Sequence, residues 1–259
     1  MESKELSKIG SYEFFAEPFH CDFRSRLFMG HLGNHMLNAA DFHSHDRGFG
    51  MTYLNTIHRT WVLSRLAIEM EEMPRAYDRF KVDTWVESAL RFFTNRSFKV
   101  HDPATGRVYG YGRSIWAMID TETRQPANLF EINDGALLNY VEKDTVCPIE
   151  KGSRVRVPED AQLVREFTAR YSDIDVNGHV NSVKYIEHVL DVFPLEWFGS
   201  HRIHRFEVAY VAEAHCDDRL RIYRHTDDGL TFVMRMTKTA PGSEEEVEVC
   251  RSMATFVQE

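Results

Sequence analysis

The segment Tyr111-Gly112-Arg113-Ser114-Ile115-Trp116-Ala117-Met118-Ile119 returns 138 residues later as Val249-Cys250-Arg251-Ser252-Met253-Ala254-Thr255-Phe256-Val257. Both keep an Arg-Ser pair in register within an extended, apolar-rich run, and both read as the terminal strand of a module. A chain of 259 residues is close to two domains of about 100–150 residues each, so the echo reads as one module written twice. Further upstream, Gly33-Asn34-His35-Met36 can be laid against Asn177-Gly178-His179-Val180, each opening a helical pattern; that offset is 144 and implies a six-residue deletion in the second copy. The seam falls in a polar, proline-marked stretch with Pro148 and Pro158. The expected division is 1–141, a linker over 142–159, and 160–259.

Within each copy the pattern predicts one helical segment followed by several strands. Phe80-Lys81-Val82-Asp83-Thr84-Trp85-Val86-Glu87 alternates with period two, and Asp102-Pro103-Ala104-Thr105-Gly106 is a turn between strands around Phe98-Lys99-Val100 and over residues 108–119. In the second copy, Val180, Val183, Ile186, Val189, Leu190 and Phe193 make a helical stripe that ends before Pro194, and residues 206–211, 220–224, 230–236 and 247–257 read as strands. A long helix followed by antiparallel strands must bury its apolar stripe on the sheet, which predicts an α+β layer architecture.

Composition narrows the function classes. With 43% hydrophobic and 12% aromatic residues the chain can build a substantial core. Its longest apolar runs, at 114–119 and 208–212, fall short of the ~20 residues a membrane helix needs. Met1-Glu2-Ser3-Lys4-Glu5-Leu6 mixes acids and bases, unlike a secretory or transit leader, so a cytoplasmic location is expected. Cys21, Cys147, Cys216 and Cys250 lack pairing or metal-type spacing and are expected as free thiols. A net charge of −9 argues against a general nucleic-acid surface.

Chemistry concentrates in Tyr171-Ser172-Asp173-Ile174-Asp175-Val176-Asn177-Gly178-His179-Val180-Asn181, where an acid, an amide and an imidazole alternate just before the helical stripe. Such groups can orient water, donate to a carbonyl oxygen and move a proton, and a helix start adds positive dipole. Each also has a structural reading: Asp175 or Asn177 as a helix cap, His179 as a satisfied structural residue. Glu213 follows the apolar, strand-like run Val208-Ala209-Tyr210-Val211-Ala212, where an acid needs a partner, though an acid at a strand end is usually just solvated.

The segment from Asp175 to Ile186, with Tyr210-Val211-Ala212-Glu213-Ala214 downstream, closely resembles the active-site region of plant and bacterial fatty acyl-acyl carrier protein thioesterases. In the first copy, Phe80-Lys81-Val82-Asp83-Thr84-Trp85-Val86 and Ser114-Ile115-Trp116-Ala117-Met118-Ile119-Asp120 resemble that family too, so the likeness runs from about Tyr12 to Val257. It implies a tandem double hot-dog fold, each antiparallel sheet wrapped around a central helix, with the N-terminal half shaping the acyl tunnel and the C-terminal half carrying the chemistry. It implies that Asp175, Asn177, His179 and Glu213 are the catalytic set, and that the chain hydrolyses fatty acyl-acyl carrier protein thioesters to free fatty acid and carrier, terminating fatty acid synthesis. No cofactor or metal is implied, since the substrate brings its own phosphopantetheine; the partner is an acyl carrier protein, and a homodimer is among the oligomeric options. Many plant members place a cysteine directly after the catalytic acid; Ala214 stands there, and Cys216 comes two residues later, which makes a thiol nucleophile a poor expectation.

Other features point less far. His31, His35 and Asp41-Phe42-His43-Ser44-His45-Asp46 invite a metal, but their spacing matches no strong template, and packing or surface roles are expected. His201, Arg202, His204, Arg205 and Lys184 are candidate contacts for an acidic carrier, against the commoner reading of an exposed loop with dispersed bases. Phe28, Met29, Met36, Trp61 and Met70 are candidates for the tunnel end. An enoyl-thioester hydratase of the hot-dog type and a non-catalytic acyl-binding module are the alternatives.

Overall fold

The computed structural model describes residues 6–259, so most of the leader reading, Met1 to Glu5, lies outside the described residues. Two compact units emerge, one made of Met1–Ser64 and Glu71–Lys151, the other of Arg65–Met70 and Gly152–Glu259. The boundary at Lys151 falls inside the segment expected as a linker, and the second unit takes in a short piece of chain from the first copy.

In the first unit, strand β1 (Gly10–Phe15) precedes helix α1 (Met29–Asp46) and the short α2 (Met51–Asn55), followed by β2 (Arg59–Met70), β3 (Arg79–Ala89), β4 (Phe93–His101) and β5 (Val108–Asp120). The strands run in the order β1-β3-β4-β5-β2, and the pairs β1/β3, β3/β4 and β4/β5 are antiparallel. α1 packs on β1 and β3. Its buried side chains Met29, Leu32, Met36, Ala39, Ala40 and His43 recur at the three-to-four-residue spacing that keeps one helix face toward a sheet. Gly112 of β5 marks a close approach: a Cβ there would lie 3.0 Å from Met36 Sδ, tighter than an ordinary contact.

The second unit repeats the plan. β6 (Gln162–Thr168) precedes α3 (Ser182–Leu190) and α4 (Leu195–Ser200), then β7 (His201–Tyr210), β8 (Arg219–Thr226), β9 (Thr231–Thr239) and β10 (Val247–Gln258). The strand order β6-β8-β9-β10-β7 matches the first copy strand for strand. Residues 65–69 of β2 pair antiparallel with β7, Arg65 opposite Ala209 and Glu69 opposite Arg205. Each unit is a hot-dog, an antiparallel sheet around a helix, as the resemblance implied. The echo that revealed the duplication is explained by packing: Gly112, Ser114 and Met118 of β5 are buried, and so are their counterparts Cys250, Ser252 and Phe256 of β10. Arg113 and Arg251 fall between them at the alternate positions that face away from that core side.

Two sequence expectations need correction. A strand, not a helix, opens each copy, because β1 and β6 are edge strands with only one partner and β6 buries no residue completely, so neither carries a clean hydrophobic period. The upstream alignment also misplaces the helix start: Gly33 to Met36 lie inside α1, four residues past its first residue, whereas Asn177 to Val180 precede α3. Among the described residues, no helix is long and apolar enough to cross a membrane. Cys147 and Cys250 are buried, Cys216 is exposed, and all four cysteines are free thiols.

Candidate active site

The loop before α3 is a tight turn with a defined hydrogen-bond pattern. Ile174 and Val180 form an antiparallel bridge, Asp175 N–H donates to His179 O at 2.8 Å, and Gly178 N–H donates to Asp175 O at 3.0 Å. Gly178 adopts φ +81°, a left-handed conformation that glycine enters without steric cost. Asp175 Oδ1 accepts from Asn177 N–H at 2.8 Å and from His179 N–H at 3.3 Å. The Asp175 carboxylate is thus engaged with the backbone of its own turn and positions Asn177 and His179. It is not the helix cap: Asn181 fills that place, its Oδ1 accepting from Val183 N–H at 3.0 Å.

Glu213 follows the strand, as the apolar run before it predicts. β7 stops at Tyr210, and Glu213 sits in the β7–β8 connection. The ladder ends there because Val211 and Ala212 N–H both converge on Val249 O, and the pairing with β10 goes no further than Tyr210 opposite Cys250. Leaving the strand brings the carboxylate to the turn: His179 Nε2 lies 3.4 Å from Glu213 Oε2, with the side chains 28% and 39% exposed. Both groups are therefore supported by protein and reachable from solvent. Asn177 is exposed at the tip of the same turn, next but one to His179.

A buried scaffold holds the two loops. Val180 N–H donates to Ala214 O at 2.8 Å, and Asn181 N–H to Asp173 O at 2.8 Å. Asp173 is buried; its Oδ1 lies 2.9 Å from His188 Nε2 of α3, and its Oδ2 accepts from Arg170 N–H at 2.8 Å. Tyr185 OH accepts from Ala214 N–H at 3.2 Å, and Tyr210 OH donates to Ser182 O at 2.8 Å, the two rings meeting edge to face. Burial pushes both phenols well above their ordinary pKa, so they act as neutral hydrogen-bonding struts. Asp173, Tyr185 and Tyr210 lie within or beside the quoted motif, but their supporting role depends on contacts no spacing reveals. His215 was missed as well; its ring meets His179 edge to face at 5.0 Å.

The remaining expectations resolve differently. Arg205 is held by Glu69 at 2.6 Å and Glu207 at 2.7 Å, Arg202 donates to Met70 O at 2.9 Å, His201 stacks on Trp197 at 3.8 Å, and Lys184 pairs with Glu187 at 2.7 Å. His201 to Arg205 form the start of β7 rather than a loop, and their bases are committed to internal partners. In the first unit His43 is fully buried with Nε2 3.0 Å from Lys8 O, and His35 packs between Phe14 and Phe80. Among the described residues the donors that converge tightly enough to share an ion are those of His179, Glu213 and His215, not the histidines of α1.

With this geometry, comparison with known proteins gives a single answer. The profile of the Acyl-ACP thioesterase N-terminal domain matches residues 12–133, and that of the Acyl-ACP thioesterase C-terminal domain matches residues 157–253. The chain belongs to the acyl-ACP thioesterase family. The chain is similar to an acyl-ACP thioesterase from Bacteroides thetaiotaomicron of known structure, at 51% identity and a TM-score of 0.88, with 96% of this chain and 98% of that one covered. The 12:0-ACP thioesterase of Umbellularia californica shares the fold at 23% identity and a TM-score of 0.83, over 98% of this chain and 99% of that one. The chloroplastic oleoyl-acyl carrier protein thioesterase 2 of Arabidopsis thaliana is 32% identical over 208 residues, 74% of this chain and 54% of its own length. The chain spans about half the length of the curated relatives it matches.

Proposed function

We propose that the protein hydrolyses fatty acyl thioesters of acyl carrier protein, releasing a free fatty acid and the carrier thiol. The observation that supports this most is the 3.4 Å approach of His179 Nε2 to Glu213 Oε2, two residues along the turn from Asn177, in a family whose named relatives are acyl-ACP thioesterases. In the proposed reaction, Glu213 accepts a proton from water as its oxygen attacks the thioester carbonyl carbon. The oxyanion accepts a hydrogen bond from the Asn177 side-chain amide, a donor of the kind worth about 2.7–4 kcal/mol. The C–S bond then breaks, and His179, within reach of Glu213, passes the proton to the departing thiolate. Backbone donors of the turn contribute little to the oxyanion, because Asn177, Gly178 and His179 N–H are all engaged by Asp175. No thiol is required: Ala214 follows Glu213, and Cys216 lies beyond it in the same connection.

In this reading Asp175 is a positioning residue, the second unit carries the chemistry, and the role proposed for the first unit is to select which acyl chains are accepted. The acyl carrier protein is the proposed partner. Incubating the purified protein with a ladder of acyl-carrier thioesters, and following free thiol together with the liberated acids, tests the proposal. Hydrolysis releases both; hydration of an enoyl thioester or simple acyl binding releases neither.

A further inference from the structure

We infer that His179, Glu213 and His215 form a binding site for one zinc ion, and that its occupancy switches the enzyme off. The binding half rests on geometry alone; the inhibitory half rests on the hydrolytic reading above. The three side chains each offer one donor atom, and these atoms all lie within 4.8 Å of one another. A tetrahedral zinc ion holds nitrogen and oxygen ligands at about 2.0–2.2 Å, which sets the ligands about 3.3–3.5 Å apart. His179 Nε2 and Glu213 Oε2 already stand at 3.4 Å. The remaining donor belongs to His215, an exposed side chain whose ring meets that of His179 edge to face.

The donor chemistry fits. Two imidazoles and a carboxylate suit zinc better than magnesium or calcium, which prefer all-oxygen sites, and three protein ligands leave a fourth position for solvent. The backbone that carries His215 is fixed by the buried carboxylate of Asp218, whose Oδ2 accepts from His215 N–H at 2.9 Å. The ligand loops are anchored by the Val180–Ala214 hydrogen bond, so little ordering is needed on binding. Occupancy would inhibit because the lone pairs of Glu213 and His179 that take and relay the proton would then be bound to the ion. His215 itself takes no part in the proposed hydrolysis.

The test uses the chelator-treated, dialysed full chain. Calorimetric titration with zinc chloride is expected to give one ion per chain, cobalt substitution a visible absorption typical of a tetrahedral site, and turnover to fall in step with occupancy. His215→Ala is expected to weaken zinc binding at least about tenfold, with the inhibition curve displaced equally when turnover is expressed relative to that variant's own metal-free rate. Absence of saturable 1:1 binding, unchanged binding in His215→Ala, zinc bound without loss of turnover, or chelator-treated enzyme that is inactive until zinc is restored would each overturn the inference. If no thioester is turned over under any condition, the hydrolytic reading fails while the calorimetric arm still decides whether the site exists.

Discussion

The backbone N–H of Val180 donates to the carbonyl of Ala214 at 2.8 Å, which ties the residue after His179 to the residue after Glu213. Two loops 34 positions apart in the chain are thereby locked at the point where the side chains of His179 and Glu213 meet. The imidazole–carboxylate approach is built into the fold rather than left to two mobile side chains, and this is what makes the site preorganised.

The turn conformation is the first testable consequence. A Cβ on Gly178 would meet no atom within 4 Å, so substitution is opposed only by its positive φ. Gly178→Ala should cost about 1–2 kcal/mol, read as a melting temperature lower by a few degrees, and should reduce turnover by displacing His179. Gly178→Asn, which tolerates the left-handed region, should be milder on both counts.

Asn177 separates chemistry from stability. It is exposed, so Asn177→Ala should leave thermal unfolding nearly unchanged, within about 0.5 kcal/mol. Its assigned oxyanion donation predicts a fall of about 10²-fold or more in kcat with little change in KM. A change confined to KM would remove that role.

The Asp173–His188 pair predicts the reverse balance. Both side chains are nearly buried, and Asp173→Ala would leave His188 without its carboxylate. Destabilisation of about 3 kcal/mol is expected in denaturant titration, together with lost activity as the 175–179 turn detaches from α3.

Acid sensitivity should trace partly to His43 in the first unit. Burial is the main reason its pKa falls to about 2 in the folded protein, with Arg96 adding to the effect. An unfolded histidine titrates near 6.5. Between these values the unfolded chain holds a proton that the native state excludes, so stability is full above about pH 6.5 and falls as pH drops, by up to about 1.4 kcal/mol per pH unit. His43→Gln, which keeps a donor for Lys8 O and cannot ionise, should flatten stability measured between pH 6.5 and 5.

How far the sequence could be read depended on burial. β3, β5 and β10 were legible because one face of each is buried and the alternation is clean, and the Arg113-Ser114 and Arg251-Ser252 echo exposed the duplication because both serines occupy the same packed position. β1 and β6 escaped because edge strands carry weak patterns. At the site, Asp175, Asn177, His179 and Glu213 stood out by residue type and resemblance, but the backbone duty of Asp175 was not legible, because an Asx-type turn and a helix cap draw on the same residue types. The strand before Glu213 was legible in the apolar run Val208 to Ala212, but the approach of Glu213 to His179 was not, because it depends on where the chain leaves the ladder, at Val249 O, which collects two N–H donors. His215 and Asp173 gain their meaning only from contacts across the fold.

The most direct measurement is turnover of an acyl-carrier thioester by Glu213→Gln, His179→Ala and the double variant, each verified as folded by circular dichroism. The account predicts that each single change lowers kcat by about 10²–10⁴-fold and that the double variant is little worse than the poorer single one, since the two groups act as a unit. Near wild-type turnover in either folded single variant would contradict it.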